Sequence, residues 1–214
     1  MSALPPKAEC HQHIDNVCFV PLADKSSVSS SSVPFRVNAP QPNSAIDSKL
    51  VPTIGSRLSE KTISWAWYSG GWDDAVAGHP SKDFQFHHQP FAYFDNYEEL
   101  MREHHLLDAR DFIWDIVHDT LPQVVFYKPI GELNEHPDYA NVLEGDEHLD
   151  RVLHLIEQSP AWSKSVVIVT FDENGGYWDH VPPPKVDQWG PGMRVPTIII
   201  SPFAKKGFID HTGP

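Results

Sequence analysis

Three apolar runs in the second half of the chain, QVVFYKP at 123–129, SVVIVTF at 165–171 and VPTIIIS at 195–201, do not alternate with polar positions. A strand with one wet face alternates. An unbroken apolar run suits a strand covered on both faces, as in a parallel sheet between helices. Between the first two runs lies GDEHLDRVLHLIEQS, where Leu149, Val152, Leu153 and Ile156 share one helical face behind an acidic first turn. ARDFIWDIVHDT repeats the pattern with Phe112, Ile113, Ile116 and Val117, and NYEELMREHHLL also reads as helical. PTIGSRLSEK suits a short helix, and TISWAWYS a strand closed by the turn signal Gly70–Gly71. The expected fold class is therefore α/β, with a mostly parallel sheet flanked by helices.

The 214 residues suit one sizeable domain. Residues 1–50 differ from the rest: DKSSVSSSSVPF and NAPQPNSAIDSKL are polar, serine-rich and proline-containing, so this segment reads as irregular or disordered apart from the short apolar piece VCFVPL. Residues 51–214 carry the globular pattern. The formal net charge of −13, from 16 basic and 29 acidic residues, disfavours a nucleic-acid partner, which calls for a basic face. It leaves phosphate chemistry open, because a metal ion supplies positive charge locally. No apolar run reaches transmembrane length, and MSALPPKAEC lacks the apolar core of a secretory signal. The two cysteines, Cys10 and Cys18, leave the redox compartment open; Cys10, His13 and Cys18 only faintly resemble a zinc pattern, which normally has four ligands.

Three stretches carry chemistry. Asp172 and Glu173 end the second apolar run, where open α/β sheets gather functional groups. Neighbouring carboxylates repel unless a cation or a shared proton relieves them, so the pair reads either as ligands of a divalent metal or as a solvated acidic turn. Gly175–Gly176 then allow a sharp turn. His87 and His88 stand among the aromatics of FQFHHQPFAYF, as a tuned acid, base or ligand or as hydrogen-bonded core histidines. Glu135 and His136 occupy the proline-bounded loop GELNEHPDY after the first apolar run, facing the same sheet end or lying incidentally on the surface. His104, His105, His118, His148 and His154 read as ordinary surface or helix residues. Convergence of His87–His88, His136 and Asp172–Glu173 points to a phosphoryl or sulfuryl ester hydrolase, in which a cation neutralises the ester and an imidazole protonates the leaving oxygen.

TISWAWYSGGW, FHHQPFAYF, KPIGELNEHPDYA, VVIVTFDENGGYWDHVPPP and WGPGMRVPTIIISPFAKKGFIDHT together resemble the phosphoesterase family of bacterial and fungal acid phosphatases and phospholipases C. The resemblance runs from about Pro52 to Thr212 and leans towards the acid phosphatase branch. It implies an alkaline-phosphatase-like fold, incomplete here, and phosphomonoester hydrolysis, with phospholipase C action on lipid head groups or an inactive truncated remnant as alternatives. By the same resemblance Asp172 ligates a divalent metal with Glu173 beside it, His88 contacts the phosphoryl group with His87 as its neighbour, and His136 protonates the leaving group. Asp179 and His180 of WDHVPPP would shape the pocket. The family's upstream Glu-Asn pair and hydroxyl nucleophile have no match in this sequence, so the resemblance implies a partial catalytic domain with little turnover of its own. The expected partner is a small phosphate ester, and members of the family are commonly secreted or periplasmic.

Overall fold

The structure, a computed structural model, describes residues 16–21, 46–95, 104–137 and 139–210. Strands β1 (Asn16–Pro21), β2 (Trp65–Ser69), β3 (Leu106–Asp108), β4 (Val124–Lys128), β5 (Ser165–Thr170) and β6 (Thr197–Ile200) form one sheet in the order β3-β2-β4-β1-β5-β6. All neighbouring pairs are parallel except β5 with β6. The helices are α1 (Ile54–Glu60), α2 (Trp72–Val76), α3 (Ala109–His118) and α4 (Val142–Gln158), so the α/β class and the largely parallel sheet are as expected.

Both faces of the sheet are covered around β2 and β4, which is why these strands are apolar on either side. On one face Ala66 and Tyr68 of β2, Val125 and Tyr127 of β4, and Val167 and Val169 of β5 meet Phe112 and Ile116 of α3 and Val152 and Ile156 of α4. On the other, Trp65 of β2 and Leu106 of β3 pack with Trp72 of α2 and with Phe91 and Ala92 of the aromatic 84–94 stretch. Strand alternation sorts β2 between these layers: even positions face the helices and odd positions face the aromatics. The helix ends are set locally. Asp108 caps α3 in a reciprocal pairing with Asp111, Thr53 caps α1, and Asn141 caps α4.

Four expectations change. Within the 1–50 segment, the short apolar piece set apart from the irregular reading forms β1 (Asn16–Pro21), hydrogen-bonded between β4 and β5 near the middle of the sheet. A six-residue piece can hold that place because its pairing comes from both neighbours rather than from local propensity. Leu106 and Leu107, read as the end of a helix, form β3 beside β2; most of that reading, 96–103, lies outside the described residues. The third apolar run is antiparallel and its residues Ile198 and Ile199 are more than half exposed, as an edge strand without a covering layer among the described residues. His148 lies on a helix as read but is half-buried rather than superficial: its Nε2 pairs with the Tyr127 hydroxyl at 2.6 Å, and burial lowers its pKa.

Parallel strands send their carboxyl ends to one edge of the sheet. Ser69, Lys128 and Thr170 therefore end side by side with Pro21, and the loops that follow them build the site.

Candidate active site

Lys128 is the last residue of β4, and its ammonium donates to Asp172 Oδ2 at 3.2 Å. Asp172 lies two residues beyond the end of β5, which β1 separates from β4 in the sheet, so the pair joins the carboxyl ends of two strands that are not neighbours. The lysine side chain is 4% exposed and the aspartate side chain 39%, which makes this a buried cation held by a carboxylate that reaches water. Beyond Asp172 the chain turns tightly. Glu173 Oε2 accepts from the Gly175 amide at 2.9 Å, Asn174 Nδ2 donates to the Tyr177 carbonyl at 2.8 Å, and Gly175 and Gly176 take φ values of 63° and 77°. Only glycine adopts these left-handed values without strain.

This turn forms one wall of a pocket of about 540 Å³. Glu173, Tyr177, Trp178, Asp179, His180 and Arg194 line it from the 171–196 region, and Glu135 and Val142 line it from across the loop after β4. Arg194 closes the first group on itself, donating to Asp179 from Nε at 2.7 Å and Nη2 at 3.0 Å, while the Val181 amide adds a third bond at 2.9 Å. These bonds, Arg194 foremost, hold the Asp179 carboxyl down at about 2. A depressed folded-state pKa stabilises the fold above the unfolded value of 3.8, and that stabilisation is lost as pH falls through the folded value. Accordingly, the stability difference between the wild-type chain and Asp179→Asn should be constant above about pH 4 and close as pH falls towards 2, as read by urea unfolding.

Glu135 sits differently. It takes a φ of 64°, is 8% exposed, and its Oε1 has no hydrogen-bond partner among the described residues. Burial, and then the charge of Asp146, push its carboxyl above the usual range. Its side chain lies against Gly145 of α4, where a Cβ would collide with Glu135 Cγ.

His87, His88 and His136 are not among the residues that line this pocket. His88 is buried on the short turn Phe86–His88 over the aromatic layer; its carbonyl accepts from Trp67 Nε1 at 2.6 Å, and its ring meets that of His87 edge-on at 4.8 Å. His136 is held within its own loop: its amide donates to Asn134 Oδ1 at 2.9 Å, Nδ1 pairs with the Pro137 carbonyl, and the ring stacks on Tyr139 at 4.6 Å. The structure thus gathers Glu135, Glu173, Asp179, His180 and Arg194 around one pocket, and joins Asp172 to Lys128 beside it. Lys128 is the residue that sequence reasoning passed over; a lysine closing the otherwise apolar VVFYK was the available signal. Among the described residues no group of three or more His, Cys, Asp or Glu side chains is arranged to hold a metal ion, so Asp172 and Glu173 do not complete a cage by themselves. Cys10 and His13 of the faint zinc pattern lie outside the described residues.

Comparison with known proteins identifies sequence relatives of the chain. The chain is 30% identical over 135 residues to the non-hemolytic phospholipase C of Pseudomonas aeruginosa, covering 46% of this chain and 20% of that protein. It is 29% identical over 125 residues to phospholipase C B of Mycobacterium tuberculosis, covering 47% and 24%. To non-specific phospholipase C4 of Arabidopsis thaliana it is 37% identical over 98 residues, covering 38% and 18%. The matches thus span between 18% and 24% of the length of these relatives. The profile of the Phosphoesterase family matches residues 33–213, most of the sequence, and the chain belongs to that family.

Proposed function

We propose that the chain carries part of the active site of a phosphoric ester hydrolase, acting on small phosphomonoesters in the manner of an acid phosphatase. The observation that carries this reading is the buried Lys128 fixed to Asp172 at the strand ends, beside Glu173 and a pocket large enough for a small ester. A phosphoryl group is anionic, and its transfer is eased by positive charge placed in advance.

In this reading Lys128 orients the Asp172 carboxylate and offsets its charge. Asp172 and Glu173 would hold a divalent cation, which when bound supplies the Lewis-acid pull on the phosphoryl oxygens. Gly175 and Gly176 keep the turn free of side chains on the approach to the phosphoryl group. His88, next to His87, would hydrogen-bond the phosphoryl oxygens. His136, its Nδ1 tied to the Pro137 carbonyl, would hand a proton from Nε2 to the departing oxygen. No serine or threonine lines the pocket among the described residues, so the 214-residue chain alone is expected to turn over slowly. A second reading, phosphodiester cleavage at a lipid head group, is favoured by the relatives' names and by Tyr177 and Trp178, both largely exposed at the pocket.

Calorimetry with orthophosphate, with and without divalent cations, tests the site. Binding weakened at least about tenfold by Asp172→Ala is expected, and no binding under either condition overturns the reading. Hydrolysis of p-nitrophenyl phosphate against phosphatidylcholine separates the two substrates. Robust turnover that Asp172→Ala abolishes would place the attacking hydroxyl within this chain.

A further inference from the structure

His136 is fixed from three directions inside the loop that follows β4. Its amide donates to Asn134 Oδ1 at 2.9 Å, across Glu135 at a φ of 64°, so the backbone turns back on the Asn134 side chain. Its ring edge is held where Nδ1 pairs with the Pro137 carbonyl. Its ring face lies on Tyr139, with centroids 4.6 Å apart and planes 15° from parallel. The Ala140 amide donates to the His136 carbonyl at 3.0 Å and closes the turn that carries Tyr139.

Asn134 ties two of these restraints together. Its side chain is fully buried, and while Oδ1 takes the His136 amide, Nδ2 donates to the Tyr139 hydroxyl at 3.1 Å. The ring stacked on His136 is thus tethered through the same residue that tethers the His136 backbone. Gly131 leaves room for that ring: a Cβ there would stand 3.1 Å from Tyr139 Cε2 and collide with the Asp83 carbonyl. The edge contact sets the chemistry. A carbonyl only accepts, so Nδ1 carries a hydrogen whether the imidazole is neutral or charged. The proton that comes and goes is the one on Nε2, which makes no hydrogen bond among the described residues. A half turn of the ring would exchange Nε2 for a carbon edge, so a proton donor of this kind depends on what holds its ring.

We propose that Asn134 and Tyr139 are positioning residues for His136, holding its ring in the Nδ1–H tautomer so that Nε2 is the edge that exchanges a proton with the leaving oxygen of the ester. This rests on the reading of His136 as the leaving-group acid.

The test is nitrogen NMR of the full chain labelled at histidine, at about pH 8.5 where imidazoles are neutral, because the ring nitrogen shifts report which nitrogen carries the hydrogen. In the wild-type chain the Nδ1–H form of His136 should exceed the Nε2–H form about tenfold, the ratio that one hydrogen bond of ordinary strength sets. Tyr139→Leu, at a partly exposed position, and Asn134→Ala should each bring that ratio to about one or below, and Tyr139→Phe, which keeps the stacked ring, should retain more of it than Tyr139→Leu. Unchanged His148 signals from α4 separate local release from unfolding, and Tyr139→Leu decides alone where Asn134→Ala disturbs them. A wild-type His136 in the Nε2–H form, or an Nδ1–H form that persists in Tyr139→Leu, overturns the assignment. The reading beneath it has its own readout: orthophosphate added with a divalent cation should shift the His136 signals of the wild-type chain. A His136 that keeps the expected tautomer and ignores orthophosphate is removed from the reaction, and Asn134 and Tyr139 lose their positioning role with it.

Discussion

Asp172→Ala is expected to destabilise the fold by about 3 kcal/mol, and Lys128→Met by less than about 1 kcal/mol, although Asp172 is the more exposed of the two. The asymmetry follows from where each charge is left. Without Asp172, an ammonium that is 4% exposed loses its carboxylate at 3.2 Å and has little water to replace it. Without Lys128, the carboxylate that remains is 39% exposed and can be hydrated, while methionine fills the stem's place among the strand ends with an apolar chain of similar shape. The double variant should recover most of the loss of Asp172→Ala, since it removes the buried ammonium together with the carboxylate that faced it. Urea unfolding of the four proteins reads all three differences. Equal losses in the two single variants would show that the pair is hydrated at both ends and that Lys128 is not a buried cation of the site.

Glu135→Gly is expected to stabilise the chain by about 1 kcal/mol at neutral pH, the left-handed strain of a residue with a side chain exceeding the entropy that glycine loses. For a chain of this length that corresponds to a rise in Tm of about 2–4 °C. The gain has a pH signature. A carboxyl whose folded-state pKa is raised adds nothing unfavourable below its unfolded value of 4.5, and its penalty grows as pH rises through the folded value. The advantage of Glu135→Gly should therefore be larger at pH 7 than at pH 4, with only the backbone contribution left in acid. Glu135→Gln isolates the charge: it should share the pH-dependent part and keep the strain. Thermal melts of the three proteins at both pH values check this, and a Glu135→Gly chain less stable at pH 7 would mean that packing against Gly145 outweighs the strain. A residue that the fold is better without, at a pocket wall, carries the signature of function kept at the expense of stability.

Much of the architecture was readable from residue patterns. The unbroken runs at β4 and β5 required cover on two faces, and the periodicity of α3 and α4 supplied it on one of them. The Asp172–Glu173 pair at the end of β5 was legible because strand ends in such sheets are where charge is tolerated. β1 was not legible: NVCFVP is short and lies in polar sequence, and its place between β4 and β5 comes from hydrogen bonds to residues more than a hundred positions away. The exposure of β6 was equally hidden, because an apolar run looks the same at an edge as in the middle of a sheet.

At the site the division is sharper. Residue type and spacing determined that this chain is α/β and that carboxylates stand at a strand end with histidines in other loops, while the family was carried by the resemblance of whole motifs. These are properties of local pattern, which the backbone reads within a few residues. The partner of Asp172, the strained and unpartnered Glu135, and the pocket that joins Glu135 to Glu173 were decided only by the tertiary structure. Whether a lysine at the end of a strand is solvated or buried depends on how far the next strands lie and which of them comes between. That is set by the order of the sheet and not by any run of residues along the chain.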